Sequence, residues 1–521
     1  MKKNIFFIVL ILALAGVIDT GYLTYEHYAN IIPPCTFNRF LPFLSDCGTV
    51  LNSPYAIMFG IPVALIGLVH YIVLSLITAL AIFTNKKIFW FWILFQVIFG
   101  ATGSLYLMFI QFIILNSFCQ YCTLSALISF IIFILAINWL ERERKTFFIY
   151  IAFLKYQYII KPMLFLISPE TIHEAMINFG EFLGRFNLIK KTINFLLPIS
   201  SLRLQQAISD INFENPIGLA AGFDYNAQLT QVLPSLGFGF ETIGTITNLP
   251  YQGNPKPMLG RLPKSRSLMV NKGFKNIGVI KIIQKLNELE FSLPIGISIG
   301  RTNSPLLKTQ KQSVEDIVAT FKKFESSKVK SAYFELNISC PNLIHGENIS
   351  FYPPKNLQEL LESLEKLNIK KTVFIKMPIE KPDREFLTML RVIEKYKFIK
   401  GIIIGNLQKN RKDPSFDSNE VGQWKVGNFS GKPCEQRSNE LIALTYKKYK
   451  KRFVIIGCGG VFSSDDAYKK IKLGASLVQL ITGMIYQGPA LIAQINLELV
   501  ELMKKDGFKN ISQAIGYENK K

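Results

Sequence analysis

Four cysteines in the first quarter of the chain have spacings suited to thiol–disulfide exchange. Cys119 and Cys122 are separated by two residues, so on a helix their sulfur atoms come within bonding distance, and a helix N-terminus favours the thiolate. Cys35 and Cys47 lie in the loop before the second apolar stretch. The two pairs predict a relay, in which the loop pair takes electrons from a partner thiol and passes them to Cys119 and Cys122.

Two other interpretations of these cysteines stay open. The pairs could form two structural disulfides without redox function, in which case this region only anchors the chain. A zinc site is poorly supported, because the spacing is irregular and His27 is the nearest further ligand. We therefore predict no metal site.

The second half of the chain offers a different set of reactive and ligand-binding residues. Short apolar segments there are each followed by glycines, carboxamides, a lysine or a cysteine. Glycine-rich turns let backbone N–H groups reach a phosphate, asparagines suit a ligand with alternating donors and acceptors, and a thiol can accept a proton. A lysine there could stabilise negative charge on a reduced ring. The residues that follow these segments are Gly222, Asp224, Thr245, Asn337, Cys340, Asn342, Lys376, Asn406, Cys458, Gly459, Gly460, Thr482 and Gly483.

The apolar segments alternate with helix-length amphipathic segments, which predicts a (β/α)8 or TIM barrel. This alternation excludes an antiparallel fold. Strand carboxyl ends form the site in such a barrel, so the residues above would meet there. The eight predicted strands are Ile217–Ala221, Phe240–Gly244, Ile295–Ile299, Tyr333–Asn337, Val373–Lys376, Gly401–Ile404, Val454–Ile456 and Leu477–Leu480.

Four apolar stretches in the first 150 residues are long enough to cross a bilayer, and they predict an all-α, four-helix transmembrane bundle. The basic start and first stretch also resemble a secretory signal. No small-residue cleavage site follows and three further spans do, so we predict an uncleaved anchor. The predicted spans are about 5–25, 56–83, 88–115 and 119–140.

Charges in the short loops predict the orientation of these spans. Lysines at 2, 3, 86 and 87 and the charged run 141–145 lie on one side, whereas the loop 26–54 carries only Arg39. The positive-inside rule then places both termini and the barrel in the cytoplasm. We expect a multi-pass protein of the inner membrane with its four N-terminal cysteines on the extracytoplasmic side.

The length of 521 residues also predicts more than one core. Ser168, as an N-cap, and Pro169 begin a predicted amphipathic helix in the connector between the two regions. Its apolar stripe would pack on the barrel or lie in the lipid interface, and periodicity favours packing. The predicted domains are a transmembrane domain 1–145, a connector 146–205, a barrel 206–505 and a tail 506–521.

The net charge of +22 raises the question of a nucleic-acid partner. The lysines are spread along amphipathic helices of the second half, without a basic run interleaved with aromatic residues. We therefore expect no nucleic acid. A basic face resting on anionic lipid fits this composition better.

The N-terminal region resembles the bacterial vitamin K epoxide reductase family over about residues 5–142. The resemblance is carried by Asp46–Tyr55 (DCGTVLNSPY), by Phe59–Pro62 (FGIP) and by the later Cys-x-x-Cys, although the loop pair is spaced more widely than is usual. It implies that Cys119 and Cys122 form the active disulfide beside a quinone, with Cys35 and Cys47 as the shuttle. It also implies an external thioredoxin-fold thiol partner.

The region from about 157 to 500 resembles dihydroorotate dehydrogenases of the membrane-associated, quinone-using class. The resemblance is carried by Asn215–Asp224 (NPIGLAAGFD), Asn337–Asn342 (NISCPN) and Gly457–Gly460 (GCGG), and the connector with His173 resembles the quinone tunnel of that class. It implies a pyrimidine held by Asn337, Asn342 and Asn406 and a proton acceptor at Cys340. It further implies FMN held by Ala221, Gly222, Thr245, Asn337, Lys376, Gly431, Gly459, Gly460, Thr482 and Gly483.

This sequence departs from that family pattern around the substrate. Tyr225, at a substrate-binding position, replaces a lysine, and Ser298 replaces an asparagine. Leu343 and Leu407 replace hydroxyl residues, and a substrate asparagine in the stretch 271–276 is displaced by one or lost. Cys340 stands where the quinone-using class has serine. Contacts to the flavin phosphate are better preserved than contacts to the substrate.

We expect two enzymes in one chain, linked by a shared quinone pool. The barrel would oxidise dihydroorotate or a related reduced heterocycle with quinone as acceptor, and the bundle would oxidise extracytoplasmic thiols. The alternative is a flavin-binding barrel with an altered substrate beside a bundle that alone keeps its activity. Tyr225 is the residue that motivates this alternative.

Overall fold

A computed structural model describes residues 2–35, 46–84, 86–197, 200–346 and 349–519. The chain divides into two compact units, residues 1–150 and 151–521, each considered by itself. The predicted order of four apolar helices followed by a (β/α)8 barrel is confirmed. Arg39, which entered the orientation argument, lies outside the described residues.

In the described part of the first unit, four helices are long and apolar enough to cross a membrane. A short antiparallel ribbon of β1 (Ile57–Met58) and β2 (Ile61–Pro62) precedes the second of them. Large apolar side chains such as Ile18 and Phe83 point outward, as expected for lipid contact. The helices are α1 (Lys2–Ala29), the short α2 (Cys47–Leu51), α3 (Val63–Thr84), α4 (Ile88–Phe109) with a π-turn at Ile110–Ile114, and α5 (Gln120–Lys155).

Helices α1 and α3 pack closely because small residues lie at their contact. The absent Cβ of Gly16 would stand 2.6 Å from the ring of Tyr71, so any larger residue there would push the helices apart. The Tyr71 hydroxyl donates a hydrogen bond to the Ser125 carbonyl oxygen, 2.8 Å away. This bond ties α3 to α5 and fixes the helix that begins beside Cys119.

The second unit begins with a helical connector. A π-turn at Tyr156–Ile160 is followed by α6 (Lys161–Phe165), α7 (Pro169–Gly184) and α8 (Asn187–Leu196). Ser168 caps α7 as predicted, since its hydroxyl accepts from the Thr171 N–H. Gly180 lets α7 approach Leu229 of the barrel, whereas Phe179 and Phe182 stay about half exposed. The apolar stripe is therefore only partly covered.

The remainder of the second unit is a closed barrel of eight parallel strands surrounded by helices. Among the described residues of this unit, two small sheets lie outside the barrel: a hairpin before its first strand and a three-stranded sheet in which β8 (Ser267–Val270) pairs with both β7 (Leu259–Leu262) and β13 (Asn428–Gly431). The outside strands are β3 (Gln206–Ile208), β4 (Ile211–Phe213), β7 (Leu259–Leu262), β8 (Ser267–Val270) and β13 (Asn428–Gly431). The barrel strands are β5 (Ile217–Leu219), β6 (Phe240–Ile246), β9 (Ile295–Ile299), β10 (Tyr333–Asn337), β11 (Thr372–Met377), β12 (Ile399–Ile404), β14 (Val454–Cys458) and β15 (Leu477–Leu480).

Helices cover the outside of the barrel with their apolar faces. In α12, for example, four leucines spaced three or four residues apart are fully buried, while the charged residues between them face out. The helices are α9 (Leu233–Leu236), α10 (Val279–Asn287), α11 (Gln310–Glu325), α12 (Pro354–Glu365), α13 (Asp383–Ile393), α14 (Ser418–Gly422), α15 (Glu435–Tyr449), α16 (Ser464–Leu473), α17 (Thr482–Gln487) and α18 (Leu491–Lys505).

Aromatic side chains close the amino-terminal end of the barrel. Phe213 of the β3–β4 hairpin packs on Phe240, with ring centroids 5.4 Å apart, and Tyr333 and Phe374 complete the same buried cluster. All four side chains are at most 1% exposed. The opposite, carboxyl end is left for the site.

Candidate active sites

A cavity lies at the carboxyl ends of the barrel strands and gathers residues from distant parts of the sequence. Strand β11 contributes Lys376, and the segment after β12 contributes Asn406. The loops that follow β5, β14 and β15 supply small residues, as expected where a backbone must approach a ligand. The predicted cofactor residues along this cavity are Ala221, Lys376, Gly431, Gly459, Gly460, Thr482 and Gly483.

The other predicted cofactor residues adjoin this group through hydrogen bonds. Asn337 Nδ2 donates to Thr245 Oγ1 at 2.9 Å, and the Thr245 hydroxyl lies 2.8 Å from Ser298 Oγ. Gly222 N–H donates to the Gly244 carbonyl oxygen at 2.7 Å, which holds the turn after β5 against β6. Strand pairing brings Asn337 opposite Lys376, so this network runs directly to the lysine that lines the cavity.

The residues present fit a flavin phosphate and ring. Gly431, Gly459 and Gly460 have left-handed φ angles of 87°, 98° and 73°, which side-chain-bearing residues rarely adopt. Gly222, at φ 109°, has no atom nearer than 3.8 Å to its absent Cβ, so its backbone is open on that side. A lysine, two asparagines and a threonine provide the donors and acceptors that a heterocycle requires. This donor set suits FMN.

The asparagines predicted for the substrate are held by neighbouring loops. Asn406 Nδ2 donates to the Ser339 carbonyl oxygen at 3.0 Å, which places Asn406 against the loop that carries Cys340. Asn342 Oδ1 accepts from Asn428 Nδ2 at 2.7 Å. These contacts bring the loop after β10, the loop after β12 and the start of β13 to the same end of the barrel.

Cys340 is partly buried in the loop after β10. Burial raises the pKa of its thiol to about 11, and the nearby cations Lys376, Arg301 and Lys409 oppose that rise only in part. The proton acceptor is the thiolate, and with a pKa this high only a small fraction of Cys340 is thiolate near neutral pH. Binding of a ligand that excludes water or adds charge would change that balance.

Tyr225 lies under a lysine from another loop. Lys272 Nζ stands 5.1 Å from the centroid of the Tyr225 ring, and the His173 ring lies 5.4 Å from it on the connector side. His173 Nε2 is 2.9 Å from the Phe223 carbonyl oxygen. Burial lowers the pKa of His173 to about 4, so this imidazole is neutral at physiological pH. The connector helix α7 thus reaches the turn after β5.

The four N-terminal cysteines form a second site in the first unit. Cys35 and Cys47 are joined by a disulfide, with Cα atoms 6.2 Å apart, while Cys119 and Cys122 are free. All four belong to one apolar cluster with Val50. The predicted shuttle pair therefore lies directly against the predicted active pair, which is the arrangement that exchange between them requires.

Polar contacts hold the cysteine site together. The Cys119 N–H donates to Gln111 Oε1 at 3.0 Å, and the Asp46 N–H donates to the Phe118 carbonyl oxygen at 3.2 Å. The Tyr121 hydroxyl donates to the Pro34 carbonyl oxygen at 3.1 Å. Among the residues that the structure describes, no cluster of three or more His, Cys, Asp and Glu side chains could bind a metal ion.

Sequence reasoning missed two charged residues near the barrel site. Glu335 lies on β10 with its side chain inside the barrel, where it accepts a hydrogen bond from Ser298 Oγ at 2.7 Å. Lys272 has no predicted role beyond its place in the substrate stretch 271–276. A charged residue in an apolar strand, as in Tyr-Phe-Glu-Leu-Asn, was the available signal for Glu335, because such a side chain is buried only with partners.

Two protein-family models match the chain. Residues 7–137 match the Vitamin K epoxide reductase family, and residues 203–503, more than half of the chain, match Dihydroorotate dehydrogenase. With the four apolar helices, the first match identifies a membrane protein.

Curated relatives and solved structures resemble the barrel portion. The dihydroorotate dehydrogenase (quinone) of Christiangramia forsetii is 36% identical over 66% of this chain and 99% of its own, and that of Trichodesmium erythraeum is 32% identical over 68% and 95%. A ligand-free crystal structure of DHODH from Eimeria tenella aligns with a TM-score of 0.58 and 25% identity, over 67% of this chain and 99% of its own. The chain is therefore an oxidoreductase that belongs to the dihydroorotate dehydrogenase family and carries an N-terminal segment matching the vitamin K epoxide reductase family.

Proposed function

We propose that the barrel oxidises dihydroorotate to orotate with FMN and delivers the electrons to a membrane quinone. The observation that carries this proposal is the convergence of Lys376, Asn406 and the glycine turns on one cavity, with Cys340 on the adjoining loop. The names of the relatives, which are quinone-dependent dihydroorotate dehydrogenases, support the same substrate and acceptor.

In this mechanism Cys340 is the proton acceptor. Its thiolate takes the proton from C5 of the substrate while Asn337, Asn342 and Asn406 hold the ring. FMN, held by Lys376, Thr482 and the glycine turns of the cavity, would supply the hydride acceptor and the carrier for two electrons. Lys376 would stabilise negative charge on that group, and the buried aromatic cluster excludes water from the amino-terminal end of the barrel.

The connector is the proposed route for quinone. Helices α6 to α8 expose large apolar side chains, of which Leu166 is 88% and Leu188 is 76% exposed. Such a surface suits a lipid interface or an apolar tail. His173 and Phe223 place α7 beside the turn after β5, so this helix leads toward the flavin cavity.

For the bundle we propose quinone-linked oxidation of extracytoplasmic thiols. Cys35 and Cys47 would exchange with a thioredoxin-fold partner, and Cys119 and Cys122 would pass the electrons to quinone. The contact between an oxidised pair and a free pair supports this order. The loop charges favour a cytoplasmic barrel and external cysteines in the inner membrane.

An absorption spectrum of the purified chain tests the barrel reaction. We expect bound FMN whose absorption bleaches when dihydroorotate is added without oxygen and returns when a soluble quinone is added. FMN that stays oxidised with dihydroorotate would reject this substrate. That result would favour the alternative of a flavin-binding barrel with an altered substrate. Tyr225→Lys then separates two explanations: a gain in dihydroorotate turnover indicates that the barrel has only lost the contact of the family lysine, and no gain indicates a new specificity.

Cysteine alkylation in intact cells tests the orientation. After reduction, Cys122 should react with a membrane-impermeant maleimide applied outside, whereas Cys340 should react only after the membrane is opened. Labelling of Cys122 only from the inside would overturn the two-sided arrangement.

A further inference from the structure

Lys272 carries a buried positive charge without an ionic partner. Lys272 is only 4% exposed, and its ammonium group forms no hydrogen bond or ion pair with any described residue. The face of the Tyr225 ring, 5.1 Å away, is its described contact. Burying a charge with so little compensation is unfavourable unless a ligand completes the site.

The carboxylates nearest to Lys272 are occupied elsewhere. Glu174 Oε1 lies 2.9 Å from Lys275 Nζ, and Glu170 Oε1 accepts from the Met258 N–H at 2.6 Å and from the Leu259 N–H. Burial, with the charge of Lys275, lowers the pKa of Lys272 to about 8. The ammonium form therefore still predominates at neutral pH, and no carboxylate among the described residues lies within ion-pair distance of it, since Glu170 and Glu174 pair with Lys256 and Lys275.

The surroundings of Lys272 connect it to the barrel site. The preceding residue, Asn271, accepts a hydrogen bond at its Oδ1 from Asn254 Nδ2, and Asn254 Nδ2 also donates to the Asn342 carbonyl oxygen at 2.8 Å. Tyr225 follows the turn after β5, whose Ala221 lines the cavity. Lys272 thus stands between the β5 turn and the loop that carries Cys340.

We propose that the Lys272 ammonium binds the carboxylate of the pyrimidine substrate, with the Tyr225 ring holding the lysine in place. Tyr225 cannot supply the positive charge itself, because a phenol is neutral or, once deprotonated, negative, and burial raises the pKa of its hydroxyl. Lys272, from the 271–276 loop, therefore supplies the positive charge that the uncharged residue 225 does not. This inference rests on the proposed oxidation of dihydroorotate.

Calorimetric binding of orotate to the purified full-length, FMN-loaded protein tests the proposal. Lys272→Met should weaken orotate binding roughly 30-fold or more, as loss of one partner of a buried charge pair does. Lys272→Arg should retain most of the affinity. Lys275→Met removes a neighbouring lysine that already pairs with Glu174, and it should bind orotate like the unmodified protein.

Uracil, which has the ring without the carboxylate, is the second probe. Its binding should not change in Lys272→Met, and Tyr225→Lys added to Lys272→Met should restore orotate binding. Equal orotate affinity in Lys272→Met and the unmodified protein would overturn the proposal, as would a parallel loss for orotate and uracil or a loss of FMN instead. If the unmodified protein binds FMN but neither binds orotate nor bleaches with dihydroorotate, the proposed function fails and the inference with it.

Discussion

Lys376 and Glu335 form an ion pair inside the barrel, with Lys376 Nζ 3.8 Å from Glu335 Oε1. Both side chains are almost fully buried, at 6% and 0% exposure. The same carboxylate oxygen accepts from Ser298, which the parallel register places opposite Glu335 on β9. The Glu335 carboxylate therefore partly neutralises the positive charge that Lys376 can present to a ligand.

Removal of this balance should make the flavin easier to reduce. In Glu335→Gln, Lys376 would stabilise the reduced, negatively charged ring more strongly, so the midpoint potential should rise by about 30 mV for each 1.4 kcal/mol gained. Potentiometric titration of the bound FMN measures this. Glu290→Gln removes an exposed carboxylate that pairs with Lys330 and should leave the potential unchanged. A lower potential in Glu335→Gln would contradict the assignment.

The pH dependence of flavin reduction should follow Cys340. Because burial raises its pKa to about 11, the thiolate fraction and the rate of bleaching by dihydroorotate should rise about tenfold per pH unit below that value. Cys340→Ala should slow bleaching by about 10²–10⁴-fold, and Cys340→Ser should retain part of the rate. Stopped-flow absorbance measures these rates. A rate independent of pH between 7 and about 10 would exclude the thiolate as the base.

Substitution in the two cysteine pairs should affect quinone reduction by different thiol donors. Cys122→Ser should abolish quinone reduction by any thiol, because it removes the pair that we propose passes electrons to the quinone. Cys47→Ser should abolish reduction by a thioredoxin-fold donor but spare reduction by dithiothreitol, a small thiol that can attack the partly exposed Cys122 directly. Quinone absorbance measures both. Full activity of Cys122→Ser would reduce the bundle to an anchor with a structural disulfide.

The aromatic floor of the barrel should contribute strongly to stability. Phe213→Ala removes a side chain that is 1% exposed and contacts Phe240, so we expect a loss of about 3–5 kcal/mol. Thermal unfolding followed by the release of FMN fluorescence measures the effect. Phe179→Ala, at a position 53% exposed, is the matched control and should cost about 0.5 kcal/mol or less. Similar losses in both variants would show that the floor is not a specific packing unit.

The architecture could be predicted from the sequence because its signals are local. The predicted strands Ile295–Ile299, Tyr333–Asn337 and Leu477–Leu480 have the observed bounds, since each is followed within two positions by a glycine or a polar residue. The prediction for β12 began at Gly401, whereas the strand begins at Ile399. The prediction missed Ile399 and Lys400 because the exposed lysine side chain interrupts the apolar run without breaking the strand.

The charges of the barrel site could not be predicted in the same way. Glu335 pairs with Ser298 and Lys376 only through the register of three neighbouring strands, and register is a property of the closed sheet. Lys272 and Tyr225 are brought together by two loops 47 positions apart, as their numbering shows, with no shared sequence pattern. Family resemblance located the loops, but not which side chains face each other.

The sealed aromatic floor has a consequence for the order of events in turnover. With Phe213, Phe240, Tyr333 and Phe374 filling one mouth of the barrel, every reactant must arrive and depart at the rim that bears the loops. The heterocycle and the electron acceptor therefore share one entrance, and we expect the oxidised heterocycle to leave before the acceptor binds. Steady-state kinetics in which both substrate concentrations are varied should then give parallel double-reciprocal lines, the pattern of a ping-pong mechanism.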